Sequence, residues 1–174
     1  MNLIFRLLLM LIKSPFKQRM GFFDTCETKF IAVPTDLDLN FHVNNGVFLS
    51  LMDLGRIDYI LKSRLLKIAF RQSIYPLVAS QMIRYNKSIN LFSRFIIRTD
   101  ILGWDEKFFY LKQEFVSLND EKIAVAVVKA RFKSRKTGGV NPADFAVLCN
   151  VDPVSPTLPE WVEEWKESEK KMIN

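Results

Sequence analysis

The segment Thr35–Leu49, TDLDLNFHVNNGVFL, gathers Asp36, Asp38, Asn40, the chain's single histidine His42, Asn44 and Asn45. Asp38, Asn40 and His42 alternate, so in extended backbone their side chains point the same way. Asn44 is placed to cap the helix that the following apolar pattern predicts. The first amides of that helix lack intrahelical acceptors and carry the positive end of its dipole. A carboxylate, an amide, an imidazole and free N–H donors in one small volume suit chemistry that turns a carbonyl into an oxyanion. Such chemistry needs a base or nucleophile, a group to orient it, and donors where charge develops. The same residues have a second reading, because Asp and Asn also turn the chain before helices and a lone His can be a structural hydrogen-bonding residue. The chain has no HExxH, no CxxC pair and no GxSxG. A metal site and a serine-hydrolase elbow are therefore unsupported. Gly138-Gly139 is too little for a phosphate loop.

The elements that must position these residues follow from periodicity. From Gly46 to about Leu66 apolar residues occur almost all round a helical projection, which predicts a helix surrounded by protein. After Pro76 the period becomes two. Phe92, Arg94, Ile96, Arg98 and Asp100 fall on one face of a strand and Leu91, Phe95, Ile97 and Ile101 on the other, with Gly103 ending it. Phe109, Leu111 and Phe115 alternate against Tyr110, Lys112 and Glu114. Lys122–Lys133 forms a further strand after the Asn119-Asp120 turn, and Thr137-Gly138-Gly139 closes the sheet. Residues 24–34 and 77–89 complete about five strands. One antiparallel sheet wrapped round one helix satisfies every pattern, which predicts an α+β domain.

At 174 residues one domain is expected, and the 15 phenylalanines supply a large core. Cys26 and Cys149 form no disulfide framework, so a reducing, cytoplasmic setting is expected. The net charge is +6, and from Asp152 onward acids outnumber lysines six to three, leaving +9 on the remainder. A basic chain suits an anionic membrane or a phosphorylated small molecule; no nucleic-acid motif is present, so no nucleic-acid partner is expected. NLIFRLLLMLIK is too short to span a bilayer. Residues 2–13 are read either as an interfacial helix in contact with a membrane surface or as a helix packed on the body, with Pro15 ending it. The predicted organisation is an amphipathic basic segment over 1–20, a central domain over 21–151, and an acidic helical tail over 152–174.

DLDLNFHVNNGVFLSLMDLGRIDYIL resembles the signature of the hot-dog-fold acyl thioesterases, the group that includes 4-hydroxybenzoyl-CoA thioesterase and the plant acyl-ACP thioesterases. The likeness continues through YNKSINLFSRFIIRTDILGWDEKFFYLKQEF and ARFKSRKTGG, covering roughly residues 24–139. It implies a hot-dog fold and hydrolysis of an acyl-CoA or acyl-ACP thioester, without metal or organic cofactor. By that resemblance Asp38 is the catalytic base or nucleophile, Asn40 and His42 orient substrate or water, and the backbone N–H near Asn45 holds the oxyanion. Asp36, Asn44, Phe48, Arg84 and Tyr85 are implied around the substrate, and Asp53 and Arg56 as a structural ion pair. Arg84, Lys87, Arg94 and Arg98 are read either as contacts for the phosphates of coenzyme A or an acidic carrier protein, or as solvated strand faces. The acyl-ACP branch carries a further acid where this chain has Ser88, a departure from that branch's mechanism. The surrounding apolar residues are expected to form an acyl tunnel, and the resemblance implies a homodimer or a dimer of dimers. Two alternatives stay open: an acyl-binding protein without turnover, and an enoyl-thioester hydratase, whose D-x-N-P-x-H pattern this sequence does not match.

Overall fold

Strands with one apolar face and a helix apolar on most sides bury each other, and the computed structural model, which describes residues 2–14, 17–136 and 138–172, shows how. Helix α1 (Asn2–Lys13) precedes strand β1 (Cys26–Ile31), then α2 (Asn45–Lys62), α3 (Leu65–Gln72), β2 (Ile74–Tyr85), β3 (Arg94–Trp104), β4 (Phe109–Ser117), β5 (Lys122–Ser134), β6 (Gly138–Gly139), α4 (Pro142–Leu148) and α5 (Glu160–Lys171). Pro15 and Thr137 lie outside the described residues. The strands form one antiparallel sheet in the order β1-β3-β4-β5-β2, with the short β6 beside β5. The sheet curls round α2, which buries Phe48, Leu51, Met52, Leu54, Gly55, Asp58, Tyr59 and Leu61. The α+β architecture is the one expected.

Helix and sheet approach closely at Gly55. A Cβ there would stand 3.1 Å from Gln113 Nε2 and 3.2 Å from Ile97 Cγ2. Gln113 is fully buried on β4. It offsets its desolvation by donating to Met52 O (3.1 Å) and Thr99 Oγ1 (3.0 Å) while accepting from Arg56 (2.5 Å). Asp58, also buried, accepts from Thr28 Oγ1 and is paired with both Lys17 and Lys62. These two networks fix the rotation of α2 inside the sheet.

Several elements differ from expectation. The predicted helix is two: Arg64 adopts φ 62° and breaks the chain direction before α3. Strand β2 begins at Ile74, so Pro76 lies within it, as an edge strand permits. Gly103 does not end β3; the ladder skips Leu102 as a bulge, and pairing resumes at Gly103, opposite Tyr110. Strand β4 is buried on both faces, because α5 covers the outer one with Val162 against Tyr110 and Val127. Helix α4, not foreseen, starts at an Asn141 cap with Pro142 in its first turn. It stacks Phe145 on Phe132 at 4.1 Å.

Gly103 also admits the C-terminal tail. A Cβ on this residue (φ +152°) would stand 2.7 Å from Ser155 Oγ and 2.9 Å from Pro156 O. Ser155 Oγ accepts from Trp104 N at 2.7 Å, which holds the tail to the bulge. Gly103→Ala is expected to cost about 2 kcal/mol and loosen the tail, read as a lower Tm with faster hydrogen exchange in 155–171.

Acid should release the same tail first. Burial opposes ionisation of Asp105, but the Tyr110 hydroxyl, the Lys107 and Phe108 amides and Lys166 outweigh it and hold the carboxyl below its usual range. Glu169, likewise opposed by burial, is lowered by Lys129, whose ammonium donates to it at 2.6 Å. Both carboxyls are more acidic folded than unfolded, so their stabilisation is complete above the ordinary carboxylate range and is lost as pH falls through it. The protection of α5 amides, with the slowing of intrinsic exchange in acid divided out, should fall between about pH 5 and pH 3, before that of β3–β5.

The two sheet edges are treated unequally. Along β1, Lys62 donates to Glu27 O (2.7 Å) and Arg6 to Ile31 O (2.9 Å). Edge strand β2 instead exposes Tyr75, Leu77, Val78, Met82 and Tyr85.

Candidate active site

The polar segment does not run extended. Phe41 has φ 59°, and the chain folds into a tight turn in which Asp38 N donates to His42 O at 2.9 Å and Phe41 N to Asp38 O at 3.1 Å. Leu37 and Val43 pair across it. Inside the turn Asp38 Oδ1 accepts from Asn40 N (2.8 Å) and His42 N (3.4 Å). The expected common face of Asp38, Asn40 and His42 is therefore replaced by a loop closed on the Asp38 carboxylate. Among the described residues Oδ2 has no protein partner, and the His42 ring makes no bond to Asp38.

Helix α2 begins where this loop ends. Asn44 caps it as its type predicts, accepting from Gly46 N at 2.8 Å. The Asn44 carbonyl takes the Val47 and Phe48 amides, which leaves the Asn45 amide as the first-turn donor that Asn44 does not use.

A cleft of about 280 Å³ opens at this point, lined by Asp38, His42, Val43, Asn45, Phe48, Tyr85, Asn86, Lys87 and Ser88. Burial raises the Tyr85 phenol, so it stays protonated, and it donates to Asn45 O at 3.3 Å. Sequence reasoning did not single out Val43 or Asn86, whose place here depends on the turn and on the end of β2. Ser88, at the position where the acyl-ACP branch carries an acid, is in the cleft wall beside Lys87, itself paired with Glu121.

Four expected site residues lie outside the cleft wall, one of them Asn44, whose side chain is taken up in capping α2. Asn40 is exposed outside the cleft wall. Asp36 is buried and turned toward Arg6 (2.7 Å) and the Val33 amide (3.0 Å), which suits anchoring α1 rather than touching substrate. Arg84, next to Tyr85 on an edge strand, points to the opposite side of the sheet, beside Trp161. Of the basic strand residues, Arg98 is engaged by Glu27 and Asp120.

The largest share of apolar lining lies away from the polar cleft, with which it shares no lining residue. A chamber of about 310 Å³ runs between α2 and the sheet, lined by Ile57, Ile60, Ile101, Phe109, Leu111 and Phe132 among others, with Asp53 and Arg56 at its edge. Phe48, packed against Tyr85 and Phe115, lines the polar cleft and not the chamber. Burial raises both thiols, Cys149 to about 12, so neither is a thiolate nucleophile at neutral pH. Among the described residues no group of three or more His, Cys, Asp or Glu could hold a metal ion.

Residues 32–165 match the family model described as the thioesterase-like superfamily. The chain belongs to that superfamily. Protein THEM6 of Xenopus laevis is 34% identical over 137 residues, 78% of this chain and 64% of that protein. A probable thioesterase of Saccharomyces cerevisiae is 26% identical over 144 residues, 80% of this chain and 61% of that one. The chain thus spans less than two thirds of the length of these relatives. The YbaW probable thioesterase from Escherichia coli superposes with a TM-score of 0.67 at 19% identity, over 71% of this chain and 95% of its own. A DHNA-CoA thioesterase from Staphylococcus aureus gives 0.62 at 16% identity, over 84% and 91%. The thioesterase-like superfamily member described here has the hot-dog fold, the wrapped central helix that its sequence led one to expect.

Proposed function

We propose that this chain hydrolyses the thioester of an acyl-CoA or acyl carrier protein in the cleft at the α2 N-terminus. One observation carries the reading: Asp38 and Asn45 line the same cleft, the first with a carboxylate oxygen that has no protein partner among the described residues and the second with an amide that Asn44 does not use. Asp38 accepts a proton from water as the water oxygen bonds to the thioester carbon. The carbonyl oxygen becomes an oxyanion against the Asn45 N–H and the helix dipole. The C–S bond then breaks, and the leaving thiolate takes the proton back from Asp38. His42 flanks the same space and orients substrate. Lys87, at the cleft, suits an anionic carrier group. The exposed apolar side chains of β2 favour a second copy joined there, edge to edge.

A second reading, acyl binding without turnover, is favoured by Ser88 standing where the acyl-ACP branch has an acid. Thiol release from short, long and aromatic acyl-CoAs and from acyl carrier protein separates the two. Hydrolysis of any of them supports the first. Tight binding of a non-hydrolysable acyl-CoA analogue, with no release from any thioester offered, supports the second.

A further inference from the structure

Helix α1 turns Leu3, Leu7 and Met10 inward and is pinned through Arg6, yet its outward face is also apolar. Ile4, Leu8, Leu11 and Ile12 stand in solvent, Ile4 at 64% and Ile12 at 68% exposure. Leu11 forms one wall of an open apolar groove of about 450 Å³ whose other walls include Leu66, Ala69 and Phe70 of α3. Helix α3 repeats the arrangement: Leu65 is buried, whereas Leu66 and Phe70, the latter 77% exposed, face out. The two helices, distant in sequence, thus present one apolar face across a shared groove. The charge beside it has a single sign. Lys13, Arg64, Lys67 and Arg71 are exposed, and no acid occurs in residues 2–23 or 59–99. Lys13 also belongs to a second groove shared with Lys17, Lys29 and Lys62, where the acids are Asp58, already held by Lys17 and Lys62, and Glu27, which Arg98 engages.

An apolar face whose two helices carry only basic charge matches a surface of apolar chains bordered by phosphates. We propose that α1 and α3 together dock this chain on an anionic phospholipid membrane, with Ile4, Leu8, Ile12 and Phe70 entering the acyl boundary and Lys13, Lys67 and Arg71 meeting headgroup phosphates. No described helix is long and apolar enough to cross a membrane, so the contact is interfacial. The part played by α3 goes beyond what the N-terminal sequence alone suggests, and it is the part to test.

The full chain is sedimented with vesicles of phosphatidylcholine alone or with about 30% phosphatidylserine. Binding to the mixed vesicles is expected, at least about tenfold weaker on neutral ones, with losses of about tenfold or more for Ile12→Asp and for Phe70→Asp. Both side chains are exposed, so an unchanged Tm is the folding control. No binding to either vesicle, equal binding to both, or Phe70→Asp binding like wild type would overturn the proposal. So would a wild-type dimer that either substitution turns to monomer by light scattering without vesicles, since the face would then be a self-contact. The readout involves no hydrolysis, so its failure is distinguishable from failure of the thioesterase reading.

Discussion

Asp38→Asn is expected to lower thiol release by about 10²-fold or more while leaving Tm within a degree or so of wild type. The geometry makes the two halves of that expectation separable. Asp38 Oδ1 accepts from the Asn40 and His42 amides, and an asparagine carbonyl oxygen accepts the same two bonds. The turn therefore survives, and so does the approach of the chain to the Asn44 cap. What the amide cannot do is take a proton from water. Asp38→Ala is the useful contrast, because it removes both the base and the acceptor that closes the turn. If Asp38→Asn retains wild-type turnover, the carboxylate is a turn-closing group and nothing more. If asparagine and alanine lose activity equally but only alanine lowers Tm, the chemistry belongs to the charge.

Asp58→Ala is expected to destabilise the fold by about 3 kcal/mol, with a Tm lowered by roughly 6–12 °C. The carboxylate is 1% exposed and receives Lys17, Lys62 and the Thr28 hydroxyl. Removing it leaves two ammonium groups facing one another beside a buried hydroxyl. The Lys17 and Lys62 side chains keep 24% and 17% of their surface in water, which moderates the penalty. Asp58→Asn should cost less, since an amide still satisfies Thr28. A Tm unchanged by the alanine substitution would show that the lysines swing out to solvent without loss. Neither substitution touches the cleft, so residual activity should track the folded fraction.

How much of this was legible in the sequence depends on the range of the interactions involved. Asn44 announced the start of α2 because capping is local, and the alternation of Phe95, Ile97 and Ile101 announced β3 for the same reason. The α+β arrangement followed from those local patterns, whereas the hot-dog fold was implied only by the resemblance of the motif around Asp38 to a known family. The turn at Phe41 was not legible: a non-glycine residue in the left-handed region carries no signature, and without it Asp38, Asn40 and His42 read as one strand face. Arg64 hid the break between α2 and α3 in the same way. The double burial of β4 was out of reach for another reason, since Tyr110 is covered by Val162 from the far end of the chain. Lys87, although read as basic, could be placed at the cleft only once the end of β2 was fixed against Asn45 by Tyr85.

The unequal edges of the sheet set the stoichiometry of anything built from it. On β1 the outward carbonyls of Glu27 and Ile31 are occupied by Lys62 and Arg6, whereas β2 has no such cover among the described residues. In the language of polymer chemistry each chain is a monofunctional monomer. In the pairing proposed above two chains join through β2, and each β1 margin then left outermost keeps its two cations. A further strand approaching β1 would meet those cations first. Fibre formation would first require unseating two cations from the β1 margin.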